Sequence, residues 1–271
     1  MNTLFRAVLP ILAGCAMLVT GVAQAGAGGA TSIANVALGV IDLTPQDGGA
    51  GFTIDSIDSR LMVYTYNSAT GADFHPIVTK PAPYAAGQAR LALDAASADA
   101  TTSGAVGDVS ARATAGAGLG LNHMSSAESE QRLWLTLAPH TLLTVSGDVL
   151  TQATRSLGDG AGYRVFSWAS VDITDRDVVT STTLSRESAL IWGEATSSAF
   201  NNEFFTLAFA NPGDAAMAVG MNFLAYTDVT IAAVPEPSTY GMLLAGLLLV
   251  GAVARRRDHP HHRMRGTPIF S

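Results

Sequence analysis

Between Gly26 and Ala233 apolar and polar residues alternate with a period of two, and no stretch sustains the 3.6-residue period of an amphipathic helix. Leu133, Leu135 and Leu137 alternate with Arg132, Trp134 and Thr136. Tyr163, Val165, Ser167, Ala169, Val171 and Ile173 alternate with Arg164, Phe166, Trp168, Ser170 and Asp172. Phe205, Leu207 and Phe209 share one face of a third segment, and Met217, Val219, Met221 and Phe223 one face of a fourth. Side chains on a strand point to opposite faces in turn, so each segment reads as a strand with one buried side. Turn chemistry separates them at Asp47-Gly48-Gly49, 67–71, Ser146-Gly147-Asp148, 157–160 and Asn211-Pro212-Gly213-Asp214. Ten to twelve short strands punctuated in this way predict an all-β fold, an antiparallel β-sandwich of jelly-roll type.

Further strands are expected at 33–43, 51–56, 60–66, 90–95, 106–115, 140–146, 188–193 and 229–232. Residues 85–100 are open to a second reading as a short helix, since Ala, Gln and Leu favour one. The Ser/Thr/Gly/Ala-rich stretch 97–120 reads as a pair of exposed strands or a flexible connection, and any division of the domain would fall there.

Charge narrows the function classes. Charged residues are 14% of the chain, against roughly 25% in ordinary soluble proteins, and hydrophobic residues are 48%, which excludes a charged disordered chain or a long coiled coil. Nine basic and twenty-one acidic residues lie between Gly26 and Pro237, a net charge of -12. Such a surface repels a phosphate backbone, so no nucleic-acid partner is expected.

Both ends carry addresses. Arg6, an apolar run from Ala7 to Val22 and then Ala23-Gln24-Ala25 before Gly26 form a signal peptide over residues 1–25, with small Ala23 and Ala25 at the positions signal peptidase reads. Leu12-Ala13-Gly14-Cys15 offers a rival lipoprotein reading, but Ala16 to Val22 continues apolar where a lipoprotein opens a polar tether. Cleavage before Gly26 removes Cys15, the only cysteine, and leaves residues 26–233 without a thiol. At the other end Pro235-Glu236-Pro237 lies in a linker over 234–239, too proline-rich to join a helix or a ladder. An apolar run over 240–254 follows, then Arg255, Arg256 and Arg257 at the head of a basic tail over 255–271. As a helix the run is about 22 Å long at ~1.5 Å per residue, short of a ~30 Å hydrocarbon core, and is expected to span the inner membrane with its arginines cytoplasmic.

This order of Pro-Glu-Pro, hydrophobic helix and arginine cluster resembles the PEP-CTERM sorting signal of Gram-negative exported proteins. The resemblance covers Pro235 to Arg257. It implies export, a membrane-held intermediate, processing by an exosortase that reads Pro235, Glu236 and Pro237, and delivery to the cell surface or the extracellular polysaccharide. The chain departs from the family by running on from Asp258 to Ser271, where His259, His261 and His262 sit in a basic tail. A more diffuse similarity to PEP-CTERM ectodomains lies in the strand that ends near Pro45, the strand around Ala138-Pro139-His140, and the late strand ending at Asn211.

Candidate chemistry in the middle of the chain is sparse. No Gly-x-Ser-x-Gly elbow and no His-Glu-x-x-His occur, and the domain's histidines, His75, His123 and His140, are scattered, so no enzyme is expected. No cofactor is called for. Calcium, which takes oxygen donors, has its first candidate ligands at Asp172, Asp175 and Asp177, competing with a reading as a solvated acidic turn. Trp134 and Trp168 occupy the polar parity of their strands, which makes them candidate sugar-stacking rings if that parity faces water, and core residues if it does not. Three functions follow: a structural or adhesive component of an exopolysaccharide or biofilm matrix, a surface carbohydrate-binding module and, without residue-level support, an extracellular hydrolase.

Overall fold

A computed structural model describes residues 26–46, 49–67, 76–93, 95–116, 122–156, 161–176, 180–192, 194–233 and 242–250. Twelve strands are found among them: β1 (Gly26–Asp42), β2 (Phe52–Asn67), β3 (Ile77–Thr79), β4 (Gly87–Leu93), β5 (Ala96–Thr102), β6 (Val109–Gly116), β7 (His123–Leu137), β8 (Thr141–Arg155), β9 (Ala161–Asp175), β10 (Ser181–Leu190), β11 (Ser198–Asn211) and β12 (Met217–Ala233). They form two six-stranded antiparallel sheets, sheet A in the order β11-β8-β1-β6-β5-β4 and sheet B in the order β10-β9-β12-β7-β2-β3. The sheets bury their inner faces against each other, as the alternation predicts.

Several strands are longer than expected. Segments 51–56 and 60–66 are one strand, β2, which passes a register shift between Ile54 and Ser56; 217–223 and 229–232 merge into β12. Ser146-Gly147-Asp148 is no turn but the middle of β8. Gly147 serves a close approach there: a Cβ would lie 3.0 Å from the Ala34 carbonyl oxygen and the Phe205 ring. β1 bulges opposite, between Ala34 and Ala37, with Asn35 at φ 55° and its amide donating to Asp148 at 2.8 Å. Residues 85–100 hold the β4–β5 hairpin rather than a helix, and β5 and β6 are neither exposed nor a domain boundary: Ala98, Ala100, Ala111 and Ala113 face the core.

The interior divides in two. A larger apolar cluster contains Ile33, Leu61, Leu133, Leu135, Val171, Ile173 and Phe223; a smaller one contains Tyr163, Val165, Leu190, Val229 and Ile231. Between them runs a belt of buried hydroxyls, Thr31, Thr151, Ser167, Ser188 and Thr227. Four of them are satisfied across the gap between sheets, Thr31 donating to the Tyr226 carbonyl at 3.0 Å, Ser167 to the Gln152 carbonyl at 2.7 Å, and Thr151 meeting Ser188 at 2.8 Å, while Thr227 donates to the Phe166 carbonyl of its own sheet at 3.1 Å. Only glycine fits opposite this belt at position 29, since a Cβ would lie 2.7 Å from Ser167 Oγ and nearer still to Thr227 Oγ1. Buried Arg155 closes the same end, donating to the carbonyls of Tyr163, Ile191, Glu194 and Thr196.

The ladders also place the chain ends. Gly26 pairs with Gly116 and exchanges hydrogen bonds with Ser156 just past the end of β8, while Ala233 pairs with Ala161 at the start of β9. Gly26 and Ala233 therefore leave the same end of the sandwich. Residues 1–25, with the expected signal helix, lie outside the described residues. The expected span over 240–254 is described only as a nine-residue helix, α1 (242–250), roughly 13 Å long at ~1.5 Å per residue. Among the described residues no helix is long and apolar enough to cross a membrane.

Candidate functional site

The outer face of sheet B is built by register. Glu187 on β10 pairs with Trp168 on β9, Trp168 with Tyr226 on β12, Tyr226 with Glu128 on β7, and Glu128 with Met62 on β2. Directly opposed residues share a face, so these five side chains form one row across the strands. Their chain neighbours Ser167, Ala169, Thr227, Ala225, Ala127 and Ser129 point inward and are buried. The next row contributes Phe166 and Asp228, and the row on the other side Leu224 and Glu130.

A shallow cleft of about 490 Å³ lies on this face, lined by Glu128, Phe166, Trp168, Glu187, Leu224 and Tyr226. Phe166 and Tyr226 are tilted at 59° with centroids 6.3 Å apart. The Trp168 indole N–H donates to Ser185 Oγ at 2.6 Å, which holds the ring's orientation. Burial pushes the Tyr226 hydroxyl well above its ordinary range, so it stays protonated and can donate. Burial also raises the Glu128 carboxyl, opposed by the Arg60 guanidinium 2.9 Å away. Arg132 pairs with Glu130 at 2.7 Å and Arg164 with Asp228 at 2.8 Å, the latter carboxylate almost fully covered. An aromatic floor flanked by carboxylates suits stacking on an apolar ring face and hydrogen bonding to hydroxyl or amino groups.

The two tryptophans singled out by parity both lie on this outer face, in different settings. Trp168 walls the cleft. Trp134, 43% exposed, packs on Gly220, where a Cβ would lie 2.9 Å from the ring, and the Arg176 guanidinium stands 5.7 Å from its centroid. The ring is thus covered in part by the protein. Of the candidate calcium ligands, Asp172 accepts from Ser170 Oγ at 3.1 Å on the outer face, and Asp175, three positions along β9, has the opposite parity. The structure does not bring these two together, and Asp177 lies outside the described residues. No group of three His, Cys, Asp or Glu able to hold a metal ion is found among the described residues. His140 pairs with Asp214 at 2.9 Å on the turns between strands at the end opposite Gly26. Ala23, Ala25, Pro235, Glu236, Pro237, Arg255, Arg256 and Arg257 lie outside the described residues, although Gly26 opens β1 and the linker begins directly after β12.

The family model for the PEP-CTERM protein-sorting motif matches residues 233–257. The chain is a PEP-CTERM domain-containing protein. The motif marks an exported protein sorted by an exosortase, and it starts at the last residue of a central strand of sheet B. No curated protein matches the chain. Among solved structures, the enzymatically active domain of bacteriophage CBA120 tailspike protein 4 aligns at 12% identity and a TM-score of 0.12 over 55% of this chain and 19% of that one. A likeness so slight carries no argument. In this PEP-CTERM protein the cleft residues Phe166, Tyr226, Leu224, Glu128 and Glu187 escape sequence reasoning. Phe166 shares parity with Trp168 and could have been found from it. Glu128 could not, because the inward positions of that half of β7 are Ser125, Ala127, Ser129 and Gln131, which hide the alternation.

Proposed function

We propose that this exosortase-sorted protein is delivered to the cell surface or extracellular matrix of a Gram-negative bacterium, where its sandwich binds polysaccharide through the outer face of sheet B and acts as an adhesive, structural matrix component. The observation that carries the reading is the row Glu187, Trp168, Tyr226, Glu128 with Phe166 and Leu224 beside it, a ring-stacking floor with polar ends on an exported domain. The scaffold reads as jelly-roll-like, since most consecutive strands among the described residues change sheets. Before processing, the segment 240–254 holds the chain in the inner membrane, and the end of the sandwich carrying Gly26 and Ala233 faces the lipid.

Two measurements test this. Intact mass of the protein recovered from host surface and culture fluid is expected to show a chain starting at Gly26 and ending near Pro237; a chain retaining Arg255 to Ser271 would remove the matrix role. Affinity electrophoresis in host matrix polysaccharide is expected to retard the mature protein, and unchanged mobility would remove the binding role.

A further inference from the structure

The charges around the cleft select among glycans. The guanidinium groups beside the cleft, on Arg60, Arg132 and Arg164, are each committed to a carboxylate, Glu128, Glu130 and Asp228; Arg176, also on this face, stands over Trp134, six positions along β7 from Glu128. None beside the cleft is left to receive a uronate, pyruvyl or sulfate group. Glu187, by contrast, is exposed and has neither an ion pair nor a hydrogen bond among the described residues, although it is the direct cross-strand neighbour of Trp168. Adjacent side chains in such a pair have Cβ atoms roughly 5 Å apart, which sets a free carboxylate beside the indole. Phe166 and Tyr226 add two more rings, and the Tyr226 hydroxyl is kept protonated by burial. Rings plus an unpaired carboxylate are the elements that recognise an ammonium group, through attraction to the ring quadrupole and a charge-assisted hydrogen bond. Glu128 stands two strands from Trp168, and the distance from Glu187 to Glu128 is three strand spacings, roughly 14 Å at ~4.8 Å each, so more than one sugar ring can cross the row.

We propose that the sheet B cleft is a site for amino sugars bearing a free ammonium group, as in a glucosamine-containing polysaccharide, with the sugar stacked on Trp168 and its ammonium held by Glu187. This rests on the polysaccharide-binding reading above and adds the chemical class. Mature protein from the host surface would be titrated by calorimetry with glucosamine oligomers, N-acetylglucosamine oligomers, neutral glucose oligomers and uronate oligomers. Glucosamine oligomers are expected to bind at least tenfold more tightly than the others, with affinity falling as salt rises. Glu187→Gln is expected to remove most of that preference while leaving the weak N-acetylglucosamine affinity unchanged, and Trp168→Ala to weaken every oligomer tenfold or more. Thermal melting of both variants should match the parent and shows that they fold. Equal binding of glucosamine and N-acetylglucosamine oligomers, or a Glu187→Gln variant that keeps the preference, overturns the ammonium site but leaves polysaccharide binding standing. Tighter binding of uronate oligomers overturns it as well. Failure of all four to bind, with retardation in host polysaccharide retained, overturns the amino-sugar assignment; failure of both overturns the reading beneath it.

Discussion

The two outer faces of the sandwich are built from the same kind of strand and differ in what stands on them. On sheet A the outward positions of β5 and β6 carry Ser and Thr that bond to one another, Ser97 with Thr114 at 2.7 Å and Thr101 with Ser110 at 2.7 Å, while Gln88 donates to Asp99 at 2.9 Å; its exposed rings, Phe200 and Phe204, stand on the edge strand β11. Its cleft, about 560 Å³, is larger than that of sheet B, but it is a trough over Gly26, Gly28 and Ala30 walled by Arg112, Thr114, Gln152 and Thr154, with no ring among its lining residues. On sheet B the outward positions carry Phe166, Trp168 and Tyr226 and paired charges. Hydroxyl ladders satisfy themselves and ask nothing of a ligand, whereas half-exposed rings with an unpaired carboxylate leave interaction energy unused. Size of cleft is thus the poorer guide, and side-chain chemistry the better one.

Substitutions can break this contrast or sharpen it. The largest effect is expected from Asp228→Ala, which leaves Arg164 without its carboxylate under the sheet B face; stability should fall by ~1–3 kcal/mol, read as a drop in denaturant midpoint, and glycan retardation should weaken with it. Trp168→Ala should leave the fold intact and weaken binding by tenfold or more, at least ~1.4 kcal/mol, measured by affinity electrophoresis. Gly220→Ala tests whether Trp134 is packing rather than platform. The added methyl meets that ring, so a loss of ~1 kcal/mol and a shift in tryptophan fluorescence are expected with binding unchanged.

Smaller still is the pH effect at Glu128. Its folded carboxyl is raised above the ordinary value of 4.5, chiefly by burial, so the native state holds its proton more tightly than the unfolded chain. Its contribution to stability is present below pH 4.5 and is lost as pH rises through the folded value. Glu128→Gln should therefore match the parent in acid and gain on it as pH rises, seen as diverging melting temperatures. Thr114→Ala on sheet A is the control: it removes one self-contained hydroxyl pair, shifts stability by less than ~0.5 kcal/mol and leaves polysaccharide binding where it was. A binding loss there would erase the difference between the faces.

Where strands were missed or cut short, the cause is the same each time. Residues 123–132 carry Ser125, Ser129 and Gln131 toward the core, where Ser125 donates to the Ser97 carbonyl at 3.0 Å and Ser129 to that of Thr101 at 2.8 Å. Gln131 is fully buried and accepts from the Gly107 amide. A polar residue bonded to the facing sheet is as much a core residue as a leucine, yet in the sequence it reads as surface. The hydroxyl belt hid the continuity of β8 in the same way, through Thr151, and Gly147 looked like a turn because its lack of a side chain serves a close contact rather than a bend. Asn211 was visible as a strand end, but not its work: its amide donates to the Ala138 and Ala215 carbonyls at 2.9 Å and locks the turn before β12.

By itself the sequence determined the things that depend on local order: the sorting signal, whose proline pair, apolar run and arginines act in linear sequence, and the alternation that puts Trp134 and Trp168 on one parity of their strands. Tertiary structure alone decided that Trp168 has Tyr226 and Glu187 as neighbours while Trp134 has Gly220 and Arg176. Those partners lie on β10, on β12 or just past β9, and which residue faces which is set by the register each strand takes when the buried sides of both sheets close on one another.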